Sequence, residues 1–506
     1  MAGGHDDFND HISGLTDADI HTFTDEVVKK YFNPATEFIF ERFLGKGTDG
    51  LTFLIREKIG YGAIRDRDRA RSLSPYNTPS PRGARSPAQD QLDGLTDEQL
   101  LGKIIPPPSP PRSSPNRPRE DNQGRARARP YGRRDRSRSP LGGIVTPPQL
   151  HSRRIVLKID RLVVEQYFFG SDWVLSGGTE AAENNCAKET EYLERMENCQ
   201  HVVNLVAVHN NPLITTRPPL RDKHVFYDKE WLMEEYLENG SLTHLLERLN
   251  AKCKAQPGTA FLPNRVLWGL FYCLLKMEIA MAWPDQDGND EPEECLSEKV
   301  FEYIEHGDLH EGNLMFGSDT HCNSFLPVLK LIDLAAATED NDEGETRVAD
   351  LAHNPEAIAR NLFDIGKVMA ILILPGQWDQ LTLKLVPERE EKVAIKSPFS
   401  QDTFETIAVE LLAPIPECYA VEDPLKILVA ACMAVDYQRR PRIVELHDFV
   451  RRMVRRRDPS YYLAVNKNEM AQNKRPRFNV ENETDQRIRD LVAELIHCPP
   501  VSIAAQ

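Results

Sequence analysis

The sequence predicts an α+β protein, because strand-like and helical patterns occupy different parts of the chain. Short runs rich in β-branched and aromatic residues occur mainly before residue 238, whereas apolar residues at helical spacing dominate after Pro263. The chain has 506 residues and a hydrophobic content of 40%, which is enough for a sizeable core and for two or three domains.

The composition argues against several classes of protein. The nine cysteines form no Cys-x-x-Cys pair and show no regular spacing, which disfavours a disulfide framework and a zinc site, so we expect an intracellular protein of the cytoplasm or nucleus. The amino terminus lacks a basic-then-apolar signal, and the longest apolar run, residues 368–374, is too short to span a bilayer, so we expect no membrane insertion. A net charge of −16 disfavours general nucleic-acid binding.

The first ordered elements are a predicted helix that begins at Thr16 and a β-rich run at residues 38–44. This run leads into Gly45, Gly47 and Gly50, and a second strand-like run follows. A Gly-x-Gly-x-x-Gly motif between two strands predicts a hairpin whose backbone lies over the phosphates of a nucleotide. A plain hairpin turn is the alternative, whereas the dinucleotide-binding motif needs a helix after the third glycine.

Residues 60–150 have a different composition, dominated by Pro, Ser and Arg. Such a stretch cannot bury enough apolar surface to offset its ordering entropy, so we predict a disordered insertion. Its basic patch at residues 133–136 is a candidate for binding an acidic partner or for nuclear import. Candidate proline-directed phosphorylation sites in the insertion are Ser74, Thr78, Ser80, Ser86, Ser109, Ser114, Ser139 and Thr146.

Order is expected to return with a strand at residues 154–159, in which Lys158 stands among apolar residues. Such a lysine either faces solvent or reaches the α- and β-phosphates of a nucleotide from a salt bridge. The second interpretation requires a glutamate on the next helix. Residues 188–196 have helical spacing, and Glu189 flanks their apolar face, whereas Glu191 is less well placed.

Two further strands are predicted at residues 201–208 and 231–237, and the second leads into a turn and a helix start at residues 238–242. After Pro263, a broad apolar face predicts a buried helix that ends near Trp283.

The central motif contains Asp308 and, five residues later, Asn313. A second acid, Asp333, ends an apolar run. Phosphoryl transfer needs this set, because one carboxylate takes up the proton of the acceptor hydroxyl while the amide and the other carboxylate hold Mg²⁺ against the γ-phosphate. Ordinary buried turns are the alternative for either motif taken alone.

In this order, the glycine hairpin, strand lysine, helix glutamate, buried helix, His-x-Asp-x-x-x-x-Asn motif and final Asp resemble the eukaryotic protein kinase superfamily, in particular divergent kinase-like proteins of filamentous fungi. The resemblance covers about residues 36–457 apart from the insertion. It implies a bilobal protein kinase-like fold with a small β-rich lobe, which contains one key helix, and a larger, mainly helical lobe.

The resemblance also implies an organisation of the chain. An N-terminal extension at residues 1–35 precedes a small lobe at residues 36–235, which the 60–150 insertion interrupts. The large lobe is expected at residues 236–457, and a tail with one amphipathic helix at residues 458–506. The apolar side of the tail helix is formed by Leu491, Val492, Leu495 and Ile496.

By resemblance, the chain is expected to be an ATP- and Mg²⁺-dependent protein kinase of the Ser/Thr type, with ATP and an unidentified protein as substrates. The positions that match the family's functional residues are Gly45, Gly47 and Gly50 in the phosphate loop, Lys158 and Glu189 in the ion pair, Glu235 and Leu237 in the connector that holds adenine, Asp308 as catalytic base, and Asn313 and Asp333 as metal ligands.

Three later motifs extend the resemblance. Residues 354–356 look like the end of an activation segment, residues 361–366 resemble the start of the long central helix, and residues 436–441 match a late Asp-Pro-x-x-Arg-Pro element. In the family, an arginine at the position of Arg440 pairs with a glutamate at the position of Glu356.

Two alternatives follow from departures from the family pattern. A pseudokinase that binds nucleotide or partners is favoured by Asp49 in the phosphate loop, by Ala335 in place of a glycine, and by Glu234 where an apolar gatekeeper is expected. A small-molecule phosphotransferase, similar to aminoglycoside and choline kinases, is favoured by His310 and by a short peptide-docking segment before Asn361, which itself replaces an Asp.

Overall fold

The computed structural model describes fifteen segments of the chain: residues 15–33, 37–47, 50–58, 152–169, 185–197, 199–208, 211–215, 230–255, 261–284, 294–297, 304–318, 325–339, 354–375, 392–413 and 421–497. These segments, on either side of residues 59–151, belong to one compact unit. The predicted insertion and its phosphorylation sites lie outside the described residues, as do Asp49 and the basic patch at residues 133–136.

The described chain combines α-helices with antiparallel β-structure, which confirms the α+β prediction at this level. The main sheet has four antiparallel strands in sequential order: β1 (Phe38–Gly47), β2 (Gly50–Lys58), β3 (Ser152–Asp160) and β4 (Trp231–Glu235). Three two-stranded sheets pair β5 (Ile304–Glu305) with β8 (Thr338–Glu339), β6 (Leu314–Phe316) with β7 (Leu329–Leu331), and β9 (Val393–Lys396) with β10 (Thr403–Thr406).

The α-helices of seven or more residues in the described chain are α1 (Asp17–Phe23), α2 (Arg161–Phe169), α3 (Asn185–Arg195), α4 (Leu242–Ala255), α5 (Asn264–Ala282), α6 (Glu356–Ile373), α7 (Asp423–Cys432), α8 (Ile443–Arg456), α9 (Pro459–Ala471) and α10 (Asp485–Leu495). Helix α5 is buried on all sides and packs against α6 and α8, so it forms the centre of the helical part. This arrangement agrees with the buried helix predicted after Pro263.

The predicted N-terminal helix is present, and Thr16 caps it in a capping box with Asp19. After α1 the chain continues through a π-helical stretch, Thr24–Val28, and a last turn, Lys29–Tyr31. Phe23 is fully buried and its ring lies 6.5 Å from that of Phe53 on β2. The helix therefore belongs to the same apolar core as the main sheet.

The strand predicted at residues 201–208 is wrong. Val202 forms a single bridge to Leu331 on β7, and Leu205 forms a single bridge to Glu234 on β4. Because the segment passes between two different sheets, it continues neither ladder, and of its apolar residues only Val202 and Val203 are buried.

The predicted tail helix is present as α10, and it packs on α4. Just before it, the carboxylate of Glu483 accepts hydrogen bonds from the backbone N–H groups of Asn264 at 2.9 Å and Arg265 at 3.1 Å, at the start of α5. Glu483, in the tail, therefore caps the first turn of α5. Among the helices that the structure describes, none combines the length and the apolar character needed to cross a membrane.

Candidate active site

The predicted glycine hairpin is formed by β1 and β2, with Gly47 opposite Gly50 at its end. Gly50 has a φ of +147°, and a Cβ added there would overlap the carbonyl oxygen of Ile159 on β3. Only glycine fits this close approach. By contrast, a Cβ at Gly45 or Gly47 would meet no atom within 4 Å, so there is open space beside both glycines.

Lys158 and Glu189 form the ion pair that the sequence predicted. Their Nζ and Oε1 atoms lie 2.6 Å apart. Glu189 is 2% exposed and also accepts a hydrogen bond from the backbone N–H of Leu334 at 3.2 Å. Glu191, the competing glutamate, faces solvent. Helix α3 thus presents Glu189 to β3 because Tyr192 and Leu193, one turn later, are buried on the same side.

Two more carboxylates surround the same lysine, and we call Lys158, Glu189, Glu234 and Asp333 the Lys158 cluster. The Nζ atom of Lys158 lies 3.7 Å from Glu234 and 3.9 Å from Asp333. Burial alone would lower the pKa of Lys158, but the surrounding carboxylates raise it above its ordinary value. Burial raises the pKa of Glu234 to about 8, although the ammonium group of Lys158 works in the other direction.

Residues 306–313, which we call the Asp308 turn, connect β5 to β6. Gly307 has a φ of +77°, and a Cβ there would lie 2.6 Å from the carbonyl oxygen of Ala336. Asn361 on α6 accepts a hydrogen bond from the backbone N–H of His306 at 3.0 Å and donates one to the carbonyl oxygen of Ile304 at 2.9 Å. The buried side-chain amide of Asn361 therefore fixes the backbone at the start of the Asp308 turn.

His306 is fully buried, and its neutral imidazole ring holds the backbone of the turn in place. Its Nδ1 accepts a hydrogen bond from the backbone N–H of Asp308 at 3.2 Å, and its Nε2 lies 3.2 Å from the carbonyl oxygen of Ile332. This pairing assigns the proton to Nε2. Burial lowers the pKa of His306, which agrees with the neutral form.

Asn313 orients the carboxylate of Asp308. Its side-chain amide donates to the backbone oxygen of Asp308 at 3.0 Å and to its Oδ2 at 3.3 Å. The Asp308 side chain remains 60% exposed, with Nε2 of His310 at 3.5 Å. Asp308 is thus held in place and is accessible.

Asp333 is brought to the turn by the hairpin of β6 and β7. Leu314 lies opposite Leu331, and the backbone N–H of Ile332 donates to the carbonyl oxygen of Asn313 at 3.0 Å. Asp333 then adopts a φ of +64°, in the left-handed region that few residues other than glycine adopt, although aspartate adopts it more often than most. Residues in this region cluster at functional sites.

A cavity of about 60 Å³ lies between the glycine hairpin and the Lys158 cluster. The predicted residues Gly47, Gly50, Lys158, Glu189 and Asp333 line it together with Leu51, Thr52, Ile159, Asn185 and Cys186.

The predicted nucleotide-contacting residues Gly45, Glu235 and Leu237 do not line this cavity. The side chain of Glu235 instead pairs with Lys330 and accepts hydrogen bonds from Asn204, including the side-chain amide at 2.9 Å. Leu237 is buried. The tie from Glu235 to Asn204 was missed from the sequence, because it depends on the segment at residues 201–208 passing between the two sheets.

The predicted ion pair between Glu356 and Arg440 is wrong. Glu356 is the first residue of α6, so Arg360, one turn later on the same face, pairs with it at 2.6 Å. Arg440 donates to two backbone carbonyl oxygens, those of Ala359 at 2.6 Å and Ala434 at 3.1 Å.

The two motifs that contain Glu356 and Arg440 are nevertheless adjacent in the structure, because hydrogen bonds of Asn354 connect them. Its amide donates to the carbonyl oxygen of Pro441 at 2.7 Å and accepts from the backbone N–H of Ile443 at 2.9 Å. The start of α6 also corrects the prediction that residues 361–366 begin the central helix, since Asn361 lies in its second turn. The Asn-Pro pair directly before Glu356 was a local signal for the start of the helix, because such pairs favour turns, but no local signal indicated the contact with Pro441 and Ile443.

Within the described ranges, no group of three or more His, Cys, Asp or Glu side chains is arranged to hold a metal ion. No protein-family model matches the chain, and a comparison with curated proteins finds no match either.

Proposed function

We propose that this chain is an ATP- and Mg²⁺-dependent phosphotransferase with a bilobal protein kinase-like fold, acting on hydroxyl groups of a protein substrate. The observation that carries the proposal is the Lys158 cluster, in which the 2.6 Å pair of Lys158 and Glu189 lies beside Asp333. Asp333 is in turn linked to the Asp308 turn through the bond from Ile332 to Asn313. Residues far apart in sequence thus lie in one region, which supports the proposal because phosphoryl transfer needs a cation, metal ligands and a base at one site.

The residues present fit a magnesium nucleotide. The space outside Gly45 and Gly47 lets a polyphosphate approach the backbone of the hairpin. Lys158 supplies a cation for the phosphates. Asn313 and Asp333 supply oxygen ligands, which Mg²⁺ prefers. When bound, Mg²⁺ neutralises charge on the phosphates.

Asp308 is the proposed catalytic base, because it is accessible and its carboxylate is oriented by Asn313. The oxygen of the acceptor hydroxyl forms the new bond to the γ-phosphorus. The hydroxyl proton passes to the Asp308 carboxylate. The bond from phosphorus to the bridging oxygen breaks, and ADP leaves with that electron pair.

A small-molecule acceptor is the second candidate, and the start of α6 favours it. Because the helix begins at Glu356, no free chain separates this residue from Asn361, where protein kinases are expected to carry a peptide-docking segment. His310, at 3.5 Å from Asp308, stands at the open side of the turn.

A nucleotide-binding protein without transfer activity is the third candidate. The Lys158 cluster sets three acidic side chains against one lysine, and those that are ionised oppose the approach of phosphates. The cavity of about 60 Å³ is also smaller than the roughly 300–1,000 Å³ of ordinary ligand sites, so a nucleotide would need the glycine hairpin to move outward.

The discriminating experiment measures the melting temperature with ATP in Mg²⁺ and in EDTA. Because a ligand stabilises the folded state by RT ln(1 + [L]/Kd), about 2.7 kcal/mol at a hundredfold excess over Kd, we expect a larger shift with Mg²⁺. Asp333→Ala should remove the metal-dependent part, and Lys158→Met should weaken the remainder. Lys252→Met, which removes only a surface pair with Glu494, is the control and should leave both shifts unchanged.

Transfer is then tested with radiolabelled ATP, by autophosphorylation, with a protein substrate mixture and with a panel of hydroxylated metabolites. Label on protein supports the first candidate and label on a metabolite the second. A clear Mg²⁺-dependent shift without any transfer supports the third candidate. Absence of an ATP-induced shift in Mg²⁺ would reject nucleotide binding altogether.

A further inference from the structure

Asp160 is a buried carboxylate at the end of β3, two residues after Lys158 on the same face of the strand, and it is 2% exposed. Its Oδ1 accepts a hydrogen bond from the backbone N–H of Leu162 at 2.8 Å. Its Oδ2 accepts one from the backbone N–H of Cys186 at 3.1 Å. One side chain therefore contacts two separate helices.

Both contacts are made at helix starts. Leu162 lies in the first turn of α2, and Cys186 lies in the first turn of α3. The first N–H groups of a helix have no partner within the helix, and a carboxylate that accepts from them also interacts favourably with the helix dipole. Asp160 therefore ties α3 to the strand that carries Lys158.

The hydrogen bond between Asp160 and Cys186 affects the position of Glu189, which lies one turn after Cys186 on α3. A shift of the first turn of α3 moves the Glu189 carboxylate by a similar distance. Lys158 has an alternative partner, because Glu234 lies at 3.7 Å against 2.6 Å for Glu189. A displacement of Glu189 by about 1 Å, the difference between these two distances, would place both glutamates at a similar distance from the lysine.

We propose that Asp160 is a positioning residue for the proposed phosphoryl transfer: it anchors the first turn of α3 to the end of β3 and so keeps Lys158 on Glu189 rather than on Glu234. The inference rests on the proposed function, since it matters only if Lys158 contacts nucleotide phosphates. Asp160 itself contacts no reacting group.

The test is a double-mutant cycle in the full chain, with Asp160→Ala and Glu189→Gln made singly and together. The Kd for ATP in Mg²⁺ and the melting temperature are measured for each protein. We expect Asp160→Ala to weaken ATP binding by about tenfold in the wild-type background, within the range of coupling between residues that act through one another. In the Glu189→Gln background the further loss should be below about twofold, because the contact that Asp160 maintains is already gone.

Asp458→Ala provides a matched control. Asp458 caps α9 by accepting a hydrogen bond from the backbone N–H of Tyr461 at 2.9 Å, with no connection to Lys158. This variant should lower the melting temperature, as loss of a helix cap does, and leave the Kd for ATP unchanged. If Asp160→Ala does not fold, Asp160→Ser retains a short oxygen acceptor and replaces it in the cycle.

Equal losses of affinity from Asp160→Ala in both backgrounds would overturn the inference, and so would a change in melting temperature alone, as in Asp458→Ala. A wild-type protein without any ATP-induced shift in Mg²⁺ would instead overturn the proposed function, and this inference with it. The two failures are distinguishable because the second is read on the wild type before any variant is compared.

Discussion

The Lys158 cluster and the Asp308 turn are held in place by different forces. In the cluster, buried charges dominate: Lys158 is 18% exposed and its glutamate partners are nearly fully buried. In the turn, neutral groups dominate, because buried His306 and Asn361 hold the backbone while Asp308 itself is 60% exposed. The cluster therefore responds to changes of charge, and the turn to changes of backbone shape.

This difference has consequences for stability. Removing one partner of a buried ion pair leaves an uncompensated charge and costs about 3–5 kcal/mol. Changing an exposed carboxylate usually alters stability by less than about 0.5 kcal/mol. Activity and stability should therefore separate at Asp308 and move together at Lys158 and Glu189.

The largest expected effect is on transfer by Asp308→Asn. This substitution keeps the shape of the side chain and removes the proposed base, so we expect transfer to fall by at least about 100-fold, the lower end of what a positioned base contributes. The melting temperature and the Kd for ATP should stay close to those of the wild type. The measurement is single-turnover transfer beside thermal unfolding.

Asp402→Asn is the matched control for that change, because Asp402 is an exposed carboxylate paired only with Arg439 among its described ion pairs. It should leave transfer unchanged. Wild-type transfer rates in Asp308→Asn would show that Asp308 is not the base. Loss of the folded protein in Asp308→Asn would show that the turn depends on charge after all.

The second largest expected effect is on stability, and it differs between two glycines of the same hairpin. Gly50→Ala should lower the free energy of unfolding by about 3 kcal/mol, because the new Cβ overlaps the Ile159 carbonyl and the backbone has a φ of +147°. Gly45→Ala has open space and should change stability by less than about 1 kcal/mol. Urea unfolding measures both variants.

The affinity of Gly45→Ala for ATP tests whether the hairpin binds phosphates. If a polyphosphate lies against the open side of the hairpin, Gly45→Ala should weaken ATP binding although the fold is intact. Unchanged affinity in this variant would argue that the hairpin is a plain turn, which was the alternative from the sequence.

The smallest expected effect is on the pH dependence of stability, through Glu234. Its pKa is about 8 in the folded protein against an ordinary value of 4.5, so the folded state holds a proton that the unfolded chain releases between these values. Stability contributed by this protonation is present below about pH 4.5 and is lost as the pH rises to about 8. Glu234→Gln removes this dependence, so its stability relative to the wild type should increase by about 1 kcal/mol or more between pH 5 and pH 8.

Urea unfolding at the two pH values provides the measurement, and Asp402→Asn is the control, since Asp402 is an exposed carboxylate. A constant difference between Glu234→Gln and the wild type across this range would mean that Glu234 is ionised in the folded protein. The cluster would then carry more negative charge than its geometry indicates.

Local sequence determined much of the fold, because the relevant signals act over a few residues. The capping box at Thr16, the glycines between two β-rich runs and the apolar face after Pro263 each specify an element through backbone conformation or period alone. The pairing of Lys158 with Glu189 was also predictable, since it needed only a strand lysine and one glutamate beside the buried face of a helix.

Only the tertiary structure decided which side chains compete for the same partner. Glu234 lies near Lys158 because β4 pairs with β3, Arg440 donates to the backbone of α6 rather than to Glu356, and the segment at residues 201–208 forms no strand because it passes between two sheets. The physical reason is that a salt bridge or a ladder depends on distances of a few ångströms between elements far apart in the chain, and those distances are set by packing, which no local pattern records.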